Sequence, residues 1–254
     1  MTESELVTAA TFEGDDEVRR VLDGGASPDQ PDDEGATALY RAAVRGEAGI
    51  VRMLLAAGAD PDRESGAESE GLPLCAAACW GHLDAVVALL DGGADPDRLE
   101  DRDRHGMAAL HWASAKDHLA VVSVLLDRGA DPDIRDGAGG TPLVHAARYG
   151  AAAVVRTLLD HGADPTIADG QGLRPIELAR EYAGQDIEAV VRDRARQYAS
   201  EGARITVRRE DAEGGGERVV AEVHDSSGQL RSETPLGTGH AEIVRLLEGR
   251  PARA

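Results

Sequence analysis

Three side chains stand at spacings that could close on one metal ion. Cys75 and Cys79 lie four apart and His82 three further on, so a helix would bring two thiols and an imidazole to one side. No fourth ligand is near in sequence, and small thiols are ordinary core residues where helices approach closely. The pair is therefore read as packing, and no metal or cofactor is expected. The run Gly214-Gly215-Gly216 is the one candidate phosphate cradle, but Glu213 and Glu217 flank it and would repel a phosphate, which makes it a hairpin turn. His105, His111, His118, His145 and His161 recur with no paired serine nucleophile, no carboxylate dyad at defined spacing and no His-Glu-x-x-His. No catalytic residue is assigned and no enzymatic activity is expected.

The elements that position these residues follow from composition. Among 254 residues the only aromatics are Phe12, Trp80, Trp112 and four tyrosines, so the core must be filled by Ala, Val and Leu in small helices that touch closely. The formal charge is -20, from 27 basic and 47 acidic residues, which repels phosphate backbones and anionic lipids and excludes nucleic-acid binding through a basic field. No apolar run is long enough to span a membrane, and Met1-Thr-Glu-Ser-Glu-Leu6 is acidic where a signal peptide is basic. A soluble cytoplasmic monomer is expected, without membrane contact. One lysine, 26 arginines and no asparagine suggest a bacterium of high GC content.

A repeat organises the chain. Gly-Ala-(Ser/Asp)-Pro segments begin at Gly25, Gly58, Gly93, Gly129 and Gly162, which are 33, 35, 36 and 33 residues apart. A second landmark begins at Thr37, Leu72, Ala108 and Thr141, always 21 residues before the next such glycine, so the length variation falls in the other arc, a surface loop. The constant arc reads as two short helices. Thr141 is an N-cap, Pro142 occupies the first helical position, and Gly46, Gly81 or Gly150 ends the first helix in a left-handed conformation; Asp117 holds that place in the fourth unit and should make its weakest turn. Each second helix carries one apolar stripe, such as Val154, Val155, Leu158 and Leu159.

The period, the Thr-Pro-Leu start of Thr141-Pro-Leu143, the turn Gly81-His82 and the Gly-Ala-Asp-Pro close resemble the ankyrin repeat, over about Leu6 to Tyr182. The family's histidine after the start motif survives only as His111, replaced elsewhere by Tyr40, Cys75, Val144 and Glu177. The expected fold is an all-α solenoid of helix-turn-helix units with hairpin loops, the units lying at about 3–29, 35–62, 70–97, 106–133, 139–166 and 172–183. Gly184 fails as the sixth turn, whereas Gly239-His240 fits and is followed by Ile243, Val244 and Leu247. Residues 184–238 are thus expected to be an insertion, with 239–250 as the closing helix of the last repeat. Within the insertion a helix to about Ala199, strands at 205–208 and 219–223, and a mobile return over 225–237 are expected.

Acids concentrate in the variable arcs: Asp29, Asp32, Asp33 and Glu34; Asp60, Asp62, Glu64, Glu68 and Glu70; Asp95, Asp97, Glu100, Asp101 and Asp103; Asp131, Asp133 and Asp136. The resemblance implies that these arcs are fingers beside the first helices and that this face binds another protein, here one with a basic surface. It also places on that face a row containing Arg45, Trp80, Lys116, Arg148 and Tyr149, with Asp60, Asp62, Asp95 and Asp97 as the acidic fingers around it. Other readings are an antitoxin-like or inhibitory subunit masking a basic enzyme, and a ligand or enzyme site made by the insertion. For the last, Arg192, Arg194, Arg196, Arg208, Arg209 and Arg218 supply local positive charge.

Overall fold

The computed structural model describes residues 5–66, 71–100, 106–200 and 202–248. Glu68, Glu70, Asp101, Asp103, His105 and the outermost ends of the expected first, third and closing units lie outside the described residues. The helices run in pairs. A cap consists of α1 (Glu5–Thr8), a π-helical turn (Ala9–Glu13) and α2 (Asp15–Asp23). The pairs that follow are α3 (Ala38–Arg45) with α4 (Ala48–Ala56), α5 (Pro73–Cys79) with α6 (Leu83–Asp91), α7 (Ala109–Ala115) with α8 (Leu119–Asp127), and α9 (Pro142–Tyr149) with α10 (Ala152–Asp160). Then come α11 (Pro175–Tyr182), α12 (Ile187–Arg196), three strands β1 (Arg204–Asp211), β2 (Glu217–His224) and β3 (Leu230–Gly237), and α13 (His240–Leu247). None of the described helices is long and apolar enough to cross a membrane.

Local chemistry explains where the pairs start and turn. The hydroxyls of Thr37 and Thr141 accept the amides of Tyr40 and Val144 at 3.2 and 3.4 Å, satisfying donors that the first helical turn leaves open. Ala108 has no hydroxyl to offer. There His111 reaches back: its Nδ1 accepts the amide of Ala108 itself at 3.1 Å, which leaves the proton on Nε2 to be donated to the Ile134 carbonyl at 3.1 Å. Gly46, Gly81 and Gly150 turn the chain with φ of 74°, 73° and 76°, and Asp117 does so at 60°, the one non-glycine at positive φ among the described residues.

Packing divides the chain into two compact units. The first comprises Met1–Ala113 and Ala120–Ala138, the second Ser114–Leu119 and Gly139–Ala254. In the first, Ala42, Ala43, Ala77, Ala78 and Ala113 are fully buried beside Ile50, Val51, Leu54, Val86 and Leu89, so alanine gives the close approach that a core without aromatics needs. In the second, Ala146, Ala147, Val154, Val155 and Leu158 repeat the pattern, and α11 packs against α9 and α13.

The second unit also holds the expected helix and β-hairpin insertion, with one strand more than expected. Strands β1, β2 and β3 form an antiparallel sheet in that order, with Val207 opposite Ala221 and Val219 opposite Leu236. The return over 225–237, expected to be mobile, is an edge strand for most of its length. Its signal was weak because Leu236 is its one deeply buried apolar side chain, and Leu230 is 46% exposed at the other end. Helix α12 covers the sheet with Val191 and Ala195 against Val219, Ala221, Val223 and Leu236, and Tyr149 and Tyr182 pack on the same cluster.

Asp117 carries two costs. Its backbone is left-handed, and its Oδ1 is buried without a hydrogen-bond partner among the described residues. Burial pushes its carboxyl up to about 7, with Arg218 pulling it down and Glu213 adding to the rise. A carboxyl raised in the folded state holds its proton longer than in the unfolded chain, so stability is lost as pH rises from the ordinary aspartate range towards 7. Asp117→Gly should stabilise the protein by ~1 kcal/mol through the backbone. Asp117→Asn, which tolerates the same turn and cannot ionise, should gain more at pH 8 than at pH 5. Denaturant midpoints at the two pH values test this, and a gain independent of pH would contradict a buried charge.

Candidate functional site

The finger aspartates form a ladder. Within a finger, the first aspartate of Asp-Pro-Asp accepts the amide of the second: Asp62 to Asp60 at 3.0 Å, Asp97 to Asp95 at 2.9 Å and Asp133 to Asp131 at 2.9 Å. Between fingers, the second aspartate accepts the amide of the first in the next: Asp60 to Asp29 at 3.0 Å, Asp95 to Asp62 at 3.1 Å and Asp131 to Asp97 at 2.9 Å. Proline between the two aspartates presets φ for the turn. A column of carboxylates is thereby fixed to the backbone of the first unit, and Asp60, Asp62, Asp95 and Asp97 make no ion pair among the described residues. Burial raises the Asp62 and Asp97 carboxyls; the accepted amide draws each back, and neighbouring finger aspartates push it up again.

Other acids of the arcs face inward. Asp32 accepts the amides of Glu34 and Ala36 at 3.0 and 2.8 Å, and Asp169 those of Gln171 and Leu173 at 3.0 Å. Glu100 accepts Trp112 Nε1 at 2.9 Å, and burial raises its carboxyl above the ordinary glutamate range. Glu100 and much of Asp32 are thus spent on holding loops.

The row at the ends of the first helices is not uniform. Trp80, following α5, is 63% exposed, and Arg45 on the preceding turn has Glu47, at 4.0 Å, as its one ion partner among the described residues. In the second unit the Arg148 and Tyr149 side chains are engaged, and Lys116 is held through its backbone. Tyr149 packs on the sheet cluster, Arg148 pairs with Asp169 at 3.0 Å, and the Lys116 carbonyl accepts from Arg218 at 3.3 Å. The expected site residues therefore fall into three groups: the aspartate column, the open pair Arg45 and Trp80, and the trio Lys116, Arg148 and Tyr149 within the second unit.

The insertion's positive charge is largely neutralised. Arg208 pairs with Glu222 at 2.7 Å and Glu233 at 3.2 Å, Arg209 with Glu188 at 2.9 Å and Glu217 at 3.1 Å, Arg196 with Asp193 at 2.5 Å, and Arg218 with Glu210. Arg194 lies over the Tyr182 ring at 5.1 Å and donates to its hydroxyl at 2.5 Å. A cavity of about 200 Å³ between the hairpin turn and the Asp117 and Gly150 turns contains Glu217, Glu242 and Arg245 but no histidine, serine or cysteine. Cys75 is buried with its Sγ 3.7 Å from the Met107 carbonyl, and burial first, then Glu100, raises its thiol well above the ordinary range, as for a core residue. Among the described residues no three His, Cys, Asp or Glu side chains group to hold a metal.

Two histidines proved structural in a way that spacing alone had not shown. His82 donates from Nε2 to the Val44 carbonyl at 3.1 Å with its ring on Gly46, where any Cβ would lie 2.7 Å away. His240 does the same in the second unit, donating to the Arg148 carbonyl at 3.2 Å against Gly150, where a Cβ would lie 2.6 Å from the ring. A glycine turn in one repeat followed by Gly-His in the next is the sequence signal for this contact.

A family model described as ankyrin repeats, in three copies, matches residues 74–169, and a single ankyrin-repeat model matches residues 34–65; together they cover about half of the chain. No curated protein matches the chain.

The ladder can be tested at Asp62. Asp62→Ala leaves the Asp95 amide without its acceptor and should cost ~1–3 kcal/mol, whereas Asp62→Asn keeps an acceptor oxygen and should be at least as stable as the parent at pH 7. Because the folded carboxyls of Asp62 and Asp97 are raised, their part of the stability falls as pH rises through the range above 3.8, a slope that Asp62→Asn should flatten. Equal losses for the alanine and asparagine variants in thermal melts would show that charge, not the accepted bond, matters at this position.

Proposed function

The chain belongs to the ankyrin repeat family, and on that premise we propose that it is a non-catalytic module that binds another protein through a basic surface of that partner. The observation that carries this reading is the aspartate column of the first unit. Carboxylates on flexible side chains lose freedom when a partner arrives, and that loss weakens binding. Asp62 and Asp97 are already tied to backbone amides, so they present negative charge at fixed spacing before any partner binds. A net charge of -20 extends the attraction to longer range.

Contact energy would come from a different residue. Trp80 is exposed on the turn next to Arg45, and Trp and Arg are the side chains that most often anchor an interface. Tyr149 and Arg148 already have partners within the second unit, so the anchor narrows to Trp80 and Arg45. The acids steer, and the indole holds.

These roles separate kinetically. With a basic partner captured from a native lysate at low salt, Trp80→Ala should raise the dissociation rate by an amount worth ~2 kcal/mol and leave association nearly unchanged. Neutralising Asp60 and Asp95, which leaves Asp62 and Asp97 to hold the column, should instead slow association and flatten its dependence on salt. Surface plasmon resonance over a salt series gives both rates. If neither variant changes either rate, while Arg208→Ala changes both, the partner is held by the insertion and the reading fails.

A further inference from the structure

Phe12 is the only phenylalanine in the chain, and it is 81% exposed. Most of the surface around it is charged: Glu13, Asp15, Asp16, Arg19 and Arg20 are exposed. Phe12 breaks the pattern. It sits in the π-helical turn Ala9–Glu13, which closes with the Gly14 amide on the Ala9 carbonyl at 3.1 Å and is braced by the Thr11 hydroxyl on the Val7 carbonyl at 2.7 Å. Single π turns of this kind are enriched at functional sites.

Phe12 faces a groove of about 390 Å³ within the first unit. One wall is Val7, Thr11 and Phe12, and the other carries Asp33, Glu34 and Arg41. Arg41 pairs with Glu34 at 3.2 Å, whereas Asp33 is exposed with no ion pair among the described residues. Apolar and acidic surfaces thus meet in one concavity. We propose that this groove docks a short segment of a partner protein in which one aliphatic side chain, seated on Phe12 and Val7, is flanked by arginine or lysine that pairs with Asp33 and Glu34. Charge selects this occupant over a second copy of the chain, because self-association would bring the exposed Glu13, Asp15, Asp16 and Asp33 of two molecules with a net charge of -20 together. The groove is separate from Trp80, and its docking does not rest on the reading of that face.

Because there is one phenylalanine, replacing it biosynthetically with 4-fluorophenylalanine gives the full chain a single fluorine resonance at the groove. The probe is a short synthetic peptide with a central leucine flanked on both sides by arginine. The resonance should shift saturably with this peptide and stay still with a twin carrying glutamate for arginine or serine for leucine. The paired change Asp33→Asn with Glu34→Gln should weaken the titration ~5-fold or more. Trp80→Ala should leave it unchanged, and calorimetry with Phe12→Ala should show the same weakening without the label. A resonance that does not move, that moves equally with the glutamate peptide, that moves on raising protein concentration alone, or whose titration depends on Trp80 would overturn the proposal.

Discussion

The rest of the structure depends on how closely one helix pair can approach the next. With seven aromatics in 254 residues there is little bulk to fill a gap, so neighbouring helices must nearly touch. Two of the close approaches are at the turns. There an imidazole lies against a glycine and takes up a carbonyl that the end of the preceding helix leaves open, as His82 does at Gly46 and His240 at Gly150. A methyl group on either glycine would collide with the ring. Glycine in these turns is therefore required twice, for its left-handed backbone and for the space it leaves.

The repeat itself could be read directly, because its period, its caps and its apolar stripes are local patterns that packing reinforces. The Thr37 and Thr141 caps, the left-handed turns and the buried second-helix stripes all occur where their residue types pointed. The third strand could not be read so easily. Its pairing depends on backbone hydrogen bonds to β2, and its sequence offers Leu236 and little else to mark a buried side. Composition also misled on the acids, since clustering in surface arcs does not reveal which carboxylates turn inward. Glu100 points to an indole and Asp32 to two amides, and neither destination lies in the pattern of charges.

The two aromatic residues of the row at the first-helix turns illustrate the same limit. Trp80 and Tyr149 occupy equivalent places in their repeats, and sequence gives no reason to treat them differently. The difference comes from the α12 and strand segment, which packs on Tyr149 and Tyr182 within the second unit. A side chain's availability is thus set by what folds over it from elsewhere in the chain. Its residue type alone does not decide it.

The order of elements in the second unit bears on how the protein is made. Helix α11 ends at Tyr182 and packs on α13, which starts at His240. Between them the chain must build a helix and a three-stranded sheet, so during synthesis α11 leaves the ribosome without its partner. The Val and Leu side chains that α13 will help cover wait for residues 240–247 to emerge. In the folded unit the sheet leads directly into α13: the Thr238 amide donates to the Glu217 carbonyl at 2.9 Å and the Gly239 amide to that of Gly150 at 3.2 Å, which ties the start of α13 to β2 and to the α9 turn. Strand pairing shortens the loop that must close to dock α13 on α11, and a shorter loop costs less entropy to close.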